Sequence, residues 1–432
     1  MGRQIPEIPT GNFFGHFRSY VSDPLAFLRT HQKQFGDMFT FRVAQRRLIF
    51  INHPDYIKRV LQDNHRNYRK SAAYRKLALL LGDGLFTSDG EYWLTQRRII
   101  QPAFHRDQIK TYAETMHELC MQMVDRWNEH KEIELTTEMT DLTLRIISKT
   151  MLDIDLADQG SVVKHRLPFA LSFMVNRITS PLAVPLWMPT TQNHRFKKAL
   201  KMLDEVINGI IRHKKGNLGL DLLSQLILLK DESTGKGMSD QQLRDELMTI
   251  FLAGHETTAM GLTWLLNHIL QDEDLRQQLV DVAQNFRYPW DATTDFFIQN
   301  VINEGLRLFA PVWILSREAI GGDQLGAYDI HSGDRIIFSP YLVHRHTDFW
   351  VDPDKFDATR FGDDIPHRYA YYPFGGGPRI CVGQHFALME MTVILVNILR
   401  HFPTMQLKST EPIGYDYSIT LRPDRPIRVT LR

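Results

Sequence analysis

The chain has 432 residues, 43% hydrophobic and 23% charged, a balance that excludes a disordered or fibrous protein and allows a large buried core. Its 51 Lys and Arg against 50 Asp and Glu leave a formal charge of +1, so the charge balance gives no reason to expect nucleic acid or an anionic membrane as a partner. Two cysteines, Cys120 and Cys381, cannot build a disulfide framework and suit a reducing, cytoplasmic setting.

In chain order, Met1-Gly2-Arg3-Gln4-Ile5-Pro6 lacks the apolar stretch of a signal peptide, and Pro6 stands where a myristoylation motif needs Ser or Thr. Residues 1–35 read as an entry segment punctuated by prolines. The alternating runs 38–43 and 47–51 predict a β-hairpin. Apolar residues at three- and four-residue spacing then predict helices over 54–64, 91–103, 107–128, 139–153, 193–214, 239–270, 273–286 and 294–308. Ser239 followed three residues later by Gln242 is a capping box for the longest of them. Its apolar part, 248–270, is interrupted by His255, Glu256 and His268, so it reads as a buried helix and no transmembrane anchor is expected. Strand patterns return near 314–320, 334–338 and 413–430, and 384–399 is helix-like. No Pro-, Gly- or Ser-rich linker divides the chain. A single domain over 1–432 follows, mainly α with small β-sheets, with no fused flavin or iron–sulfur reductase.

Phe374-Gly375-Gly376-Gly377-Pro378-Arg379-Ile380-Cys381-Val382-Gly383 is the most informative stretch. A thiolate that binds haem iron must sit on a tight turn that the macrocycle can approach, and Gly377 and Gly383 bracket the sulfur. The helix predicted behind it would aim N–H groups and its positive dipole end at the sulfur, favouring the thiolate. Two plainer readings compete: a buried small cysteine in an ordinary turn, or a phosphate loop. The second lacks the Gly-Lys-Ser/Thr it needs. The pattern Phe-x-x-Gly-x-Arg-x-Cys-x-Gly resembles the signature of the cytochrome P450 family, the haem-thiolate monooxygenases. That resemblance implies a haem b (iron protoporphyrin IX) cofactor under a long central helix. It makes Cys381 the metal ligand and sets Phe374, Gly377, Arg379 and Gly383 around the cofactor.

Three further motifs resemble the family's, in its order. Ala253-Gly254-His255-Glu256-Thr257-Thr258 interrupts a helix with a glycine and two threonines, which lowers helix propensity and opens the backbone locally. It resembles the oxygen-binding segment, implying Ala253 and Gly254 beside the cofactor, Glu256 as proton-delivering acid and Thr257 as alcohol. A solvated Glu256 and a packed Thr257 are the plainer alternative, and His255 reads as structural. Glu304 and Arg307 share one helix face; in so apolar a segment a buried pair needs a third partner, for which Arg360, in a segment resembling the family's meander, is the candidate. Their expected role is structural support. Trp93-x-x-x-Arg97, Arg317 and Arg379 match the family's haem-propionate contacts. Thr95-Gln96 and Ala358 depart from its usual residues.

By family position the substrate would lie among Leu80, Leu81, Leu85, Phe86, Phe173, Met174, Phe251, Val312, Trp313 and Leu421, in segments read as loops at 72–90, 168–190, 310–315 and 418–422. The run 181–189 reads as a hydrophobic access lid. An apolar lining implies a lipophilic substrate of fatty-acid, carotenoid or terpenoid type, oxidised with O2. Electrons would come from a separate ferredoxin- or flavodoxin-type donor with its reductase, docking on Arg98, His105, Arg106, Lys110 and Arg345. A peroxide-driven peroxygenase, a haem-based sensor and a colourless helical scaffold are the competing readings. His344-Arg345-His346 lacks further ligands for a second metal.

Overall fold

The structure, a computed structural model, describes residues 3–10, 14–154, 160–180, 183–219, 221–230, 235, 237–286, 296–362 and 364–431, without the side chains of residues 106, 160, 161 and 164. The architecture is mainly helical with small sheets. Two compact units are distinguished: Met1–Lys76, Asn176–Ala183 and Asn303–Cys381 form one, and Leu77–Val175, Val184–Ile302 and Val382–Arg432 the other.

The first unit is built on a five-stranded sheet. The hairpin Met38–Val43 and Arg46–Ile51 is followed by Arg335–Phe338, Leu315–Ala319 and Tyr68–Lys70. Strands Arg46–Ile51 and Arg335–Phe338 run parallel and set Ile49 against Ile336, and Ile49, Ile51, Ile336 and Phe338 fill a core that also takes in Leu61, Tyr369 and Tyr372. The entry segment is more ordered than its prolines suggested. It holds helices Phe17–Ser22 and Pro24–Phe35, the second capped by Asp23 accepting from the Ala26 N–H, with Pro24 at its first position, where no N–H is needed.

The predicted 54–64 helix is regular only over Pro54–Lys58 and then widens into a π-helical turn, Arg59–Asp63. The cysteine loop packs on this turn. Gly377 has φ +65, and a Cβ there would fall 1.9 Å from the Leu61 carbonyl oxygen; Tyr369 OH donates to Gln62 Oε1 at 2.9 Å. Gly377→Ala therefore combines a left-handed backbone penalty with a clash against fixed main chain. A loss of at least about 1–3 kcal/mol is expected in chemical denaturation, whereas Gly375→Ala, with φ +73 and nothing within 4 Å of its Cβ, carries the backbone penalty alone.

In the second unit the long helix Asp240–Ile269 opens on the capping box: Ser239 Oγ accepts from the Gln242 N–H, and Gln242 Oε1 accepts from the Ser239 N–H. It packs on Leu135–Leu152 so closely that a Cβ on Gly254 would lie 2.7 Å from Ile147 Cδ1, and Thr143 Oγ1 donates to the His255 carbonyl (3.0 Å). Helix Gln384–His401 packs against Arg106–Trp127 and Glu273–Asn285. On it Glu390 is wholly buried, and burial raises its carboxyl well above the usual range. Cys120 is also fully buried, its thiol pushed up by burial and by nearby Glu390; a thiol so disfavoured as an anion is a packing residue. The expected 413–430 strand divides into Tyr415–Tyr417, Leu421–Pro423 and Arg428–Thr430, spread over two sheets.

Two of the expected substrate loops are largely helical: Ala72–Leu81 and Gly160–Thr179. The second keeps its course through an internal proline, Pro168, which removes one backbone donor from the helix. Among the described residues no helix is long and apolar enough to cross a membrane.

Candidate functional site

The cysteine loop, in the first unit, is closed on itself. The Cys381 N–H donates to the Phe374 carbonyl (2.9 Å), Gly375 N–H to Tyr372 O (2.9 Å) and Ile380 N–H to Gly377 O (3.1 Å). The backbone is thus held while the Cys381 side chain stays exposed. The glycines serve the protein as well as any ligand: Gly377 abuts Leu61, and a Cβ on Gly376 would meet the Tyr369 ring at 2.4 Å. Gly375 is the open one.

A network around a fully buried pair reaches the loop through His344 and Tyr372. Arg307 Nε and Nη2 donate to Glu304 Oε2 (2.6 Å) and Oε1 (2.8 Å). The rest of the guanidinium reaches the carbonyls of His344 (2.7 Å), Pro353 (2.7 Å) and Lys355 (3.0 Å). Glu304 Oε1 also accepts the Asp357 N–H (2.8 Å). Arg360 stands in ion-pair range, its Nε 3.4 Å from Glu304 Oε1, while its Nη2 donates to Asp352 O (3.1 Å). The carboxylate is therefore satisfied by one bidentate arginine and a backbone amide more than by two guanidinium groups. His344, with burial holding its ring neutral at a pKa of about 3, accepts from the Tyr372 N–H and so turns its Nδ1–H to the Arg307 carbonyl. His346 pairs with Asp37. Both histidines of the His-Arg-His run thus brace the fold.

Arg317, on strand Leu315–Ala319, is 6% exposed, and its guanidinium donates to the Ser316 carbonyl (2.8 Å). No carboxylate pairs with it among the described residues. A buried cation in that state calls for an external anion.

In the second unit the long helix is buried almost all round, yet Ala253 is exposed and Gly254 and Thr257 half-buried. These positions form a small-residue stripe, with Thr257 Oγ1 donating back to the Ala253 carbonyl (2.7 Å). Glu256 takes the other side: it is 4% exposed, and its Oε1 accepts from Arg422 Nε (2.9 Å) and Nη2 (2.6 Å) and from the Thr420 hydroxyl. Nothing in the sequence pointed to Arg422 or Thr420, which stand more than 160 residues away. His255 Nδ1 lies against the Phe251 carbonyl, and its pKa is lowered chiefly by burial, in keeping with a packing role. Trp93 is buried on helix Gly90–Ile100, where Arg97 Nε donates to Gln101 Oε1 (3.3 Å).

The expected substrate residues separate into two groups. Leu85, Phe86, Phe173 and Val312 keep accessible surface, Phe173 stacking on Phe196 with centroids 4.6 Å apart. Leu80, Leu81, Met174, Phe251 and Leu421 have at most 1% exposed. Their side chains have protein on every side, as core residues do; Trp313, at 6%, is nearly so. In the lid, Pro181 and Leu182 lie outside the described residues; the remainder is tied by Asn193 Nδ2 to the carbonyls of Pro185 (2.8 Å) and Met188 (2.9 Å), and leaves Trp187 78% exposed. Of the basic docking residues, Arg98, His105 and Lys110 are exposed, and the Arg106 side chain is not among those described. Arg345 drops out: its side chain is 7% exposed, bonded to Asp354 and laid 3.8 Å over the Tyr341 ring.

The model of the family described as Cytochrome P450 matches residues 6–431. The chain belongs to that family. This P450 is 33% identical over 401 residues to a cyclooctatin synthase of Streptomyces melanosporofaciens, covering 89% of the chain and 86% of the relative. It is 29% identical over 396 residues to the cyclooctat-9-en-7-ol 5-monooxygenase of the same organism (89% and 86%). It is 28% identical over 428 residues to the chloroplastic protein LUTEIN DEFICIENT 5 of Arabidopsis thaliana (92% and 72%). The P450 is accordingly a haem-dependent monooxygenase, with haem b as its cofactor. The residues present suit that group, each unit by itself: the first has a thiol exposed on a rigid turn and, in Arg317, a buried cation with no carboxylate partner among the described residues, and the second has small residues accessible on a largely buried helix.

Proposed function

We propose that this P450 inserts one oxygen atom of O2 into a lipophilic molecule of terpenoid, carotenoid or fatty-acid type, using electrons from a separate ferredoxin- or flavodoxin-type protein and its reductase. The observation that carries this reading is the accessible Ala253–Thr257 stripe on a helix otherwise sealed in the core. The apolar surfaces of Leu85, Phe86, Phe173 and Val312, and relatives named for cyclooctatin, cyclooctat-9-en-7-ol and lutein, support the substrate class. The exposed Arg98, His105 and Lys110 support an acidic electron donor.

In this reading Cys381 holds the iron, with Phe374, Gly377 and Gly383 shaping the turn that carries it. Trp93, Arg97, Arg317 and Arg379 hold the propionates, Ala253 leaves room for the ring beside Gly254, whose bare Cα lets the long helix close on Ile147, and Glu304, Arg307 and Arg360 support the loop. Bound haem supplies the activation of dioxygen. The chain moves protons: the Thr257 hydroxyl, now donating to the Ala253 carbonyl, can rotate and donate instead from the accessible face. Glu256 serves as the store behind it, its carboxylate held by Arg422 and able to exchange a proton through the Thr420 hydroxyl. Thr257→Ala is expected to keep consuming reductant while product per electron pair falls, and Glu256→Gln to slow turnover by roughly 10²-fold. Equal coupling in Thr257→Ala and wild type would overturn the proton-delivery roles. The substrate class is tested by titrating lipids and recording the haem spin-state change; a response to a small polar compound alone rejects it.

A further inference from the structure

We propose that Glu246 is the latch of the 82–88 loop, a positioning residue that fixes where Leu85 and Phe86 stand. The inference rests on the reading of those two residues as substrate-facing. Glu246 lies on the long helix, 1% exposed, and its Oε2 accepts the Leu85 N–H at 3.1 Å. The loop below it is fitted to the same helix. The Asp83 N–H donates to Asp245 Oδ2 (2.9 Å), and Arg244 Nη2 donates to the Leu80 carbonyl (3.1 Å). A Cβ on Gly82, whose φ is +72, would land 2.0 Å from Asp245 Oδ1, and one on Gly84 would land 2.4 Å from Thr249 Oγ1. Within the loop, the Thr87 hydroxyl donates to Gly82 O (2.6 Å).

Asp245 is already matched by Arg244 and Gln241 and anchors the loop's start. Glu246 differs, because among the described residues it accepts a single backbone amide. The ionisable groups that act on it are Asp245, beside it on the helix, and Tyr92 from helix Gly90–Ile100; Asp245 is in turn paired with Arg244, which also holds Asp204, and Asp83 acts on Tyr92. Burial raises its pKa to about 8, against the opposing effect of the Leu85 N–H bond and with a smaller rise from Asp245. When the loop lifts, the carboxyl meets water and returns to its ordinary acidity, so closing takes up a proton. The sign follows: the closed loop is favoured fully below the ordinary carboxyl pKa, weakens roughly tenfold per pH unit as pH rises, and levels off above about 8.

The test uses the haem-loaded enzyme. Amide hydrogen exchange at Leu85, corrected for its intrinsic pH dependence, should show opening rising by roughly tenfold per unit between pH 6 and 8. Glu246→Gln, which still offers a carbonyl to the Leu85 N–H, should keep the protection and lose the pH slope. Glu246→Ala should lose the protection and bind farnesol, read by the spin-state change, roughly tenfold more weakly, with imidazole binding at the iron unchanged. Leu85 exchange without a pH slope in the wild type, or Leu85 exchange and farnesol affinity unaltered in Glu246→Ala, overturns the proposal. A wild type that answers to no lipid but shows the slope overturns the substrate reading and leaves the latch standing.

Discussion

Cys381→Ser is expected to fold, to lose the thiolate-type absorption of the reduced carbon-monoxide complex, and to form product roughly a thousandfold more slowly or worse. The turn is closed through the backbone of residue 381: the N–H to Phe374 O bond (2.9 Å) survives in serine. The side chain is exposed, so the exchange of sulfur for oxygen removes little packing. What is lost is a soft anionic donor on a rigid backbone, which a hydroxyl cannot replace at neutral pH. Melting curves of the two proteins should lie close together while their spectra differ. A serine variant that keeps both spectrum and turnover would show that the iron is held elsewhere.

The second large effect is on stability. Arg307→Leu should cost about 3–5 kcal/mol, because it strands the Glu304 carboxylate at 0% exposure and removes the donors for three carbonyls at once. Arg307→Lys should recover only part of this, since an ammonium cannot form the bidentate fork and still reach His344, Pro353 and Lys355. Arg360→Ala should cost about 1 kcal/mol or less: its Nε is 3.4 Å from Glu304, and the Asp357 amide already fills that oxygen. Urea titrations followed by circular dichroism and by haem absorbance would check this order. An Arg307→Leu protein within about 1 kcal/mol of wild type would contradict the assignment of this network as the loop's support.

The mainly helical class was readable because its signals are local. Periodicity and the Ser239–Gln242 box delimit the long helix to within a residue of Asp240–Ile269, and three-residue spacing alone sets Glu304 and Arg307 on one face. Features that depend on distant partners left no such trace. The π-helical turn at 59–63 is intelligible only once Gly377 is seen against Leu61. The helix through Pro168 breaks a local rule that tertiary packing overrides. Glu256 looked like one half of an acid–alcohol pair, but its place is set by Arg422, 166 residues on. Apolar character could not separate Phe173, which keeps accessible surface, from Met174 beside it, which has none: one residue of rotation on a helix divides them.

The seat of the cysteine turn has a consequence for biosynthesis. Gln62, which holds Tyr369, leaves the ribosome 307 residues ahead of it, and the strand Arg46–Ile51 waits almost as long for Arg335–Phe338. Throughout elongation the nascent chain therefore carries an apolar surface around Val60 and Leu61 that only the far end of the polypeptide can cover. Completion of this core, and pigment loading with it, are thereby deferred to the close of translation, and until then the exposed surface stays open to chaperones.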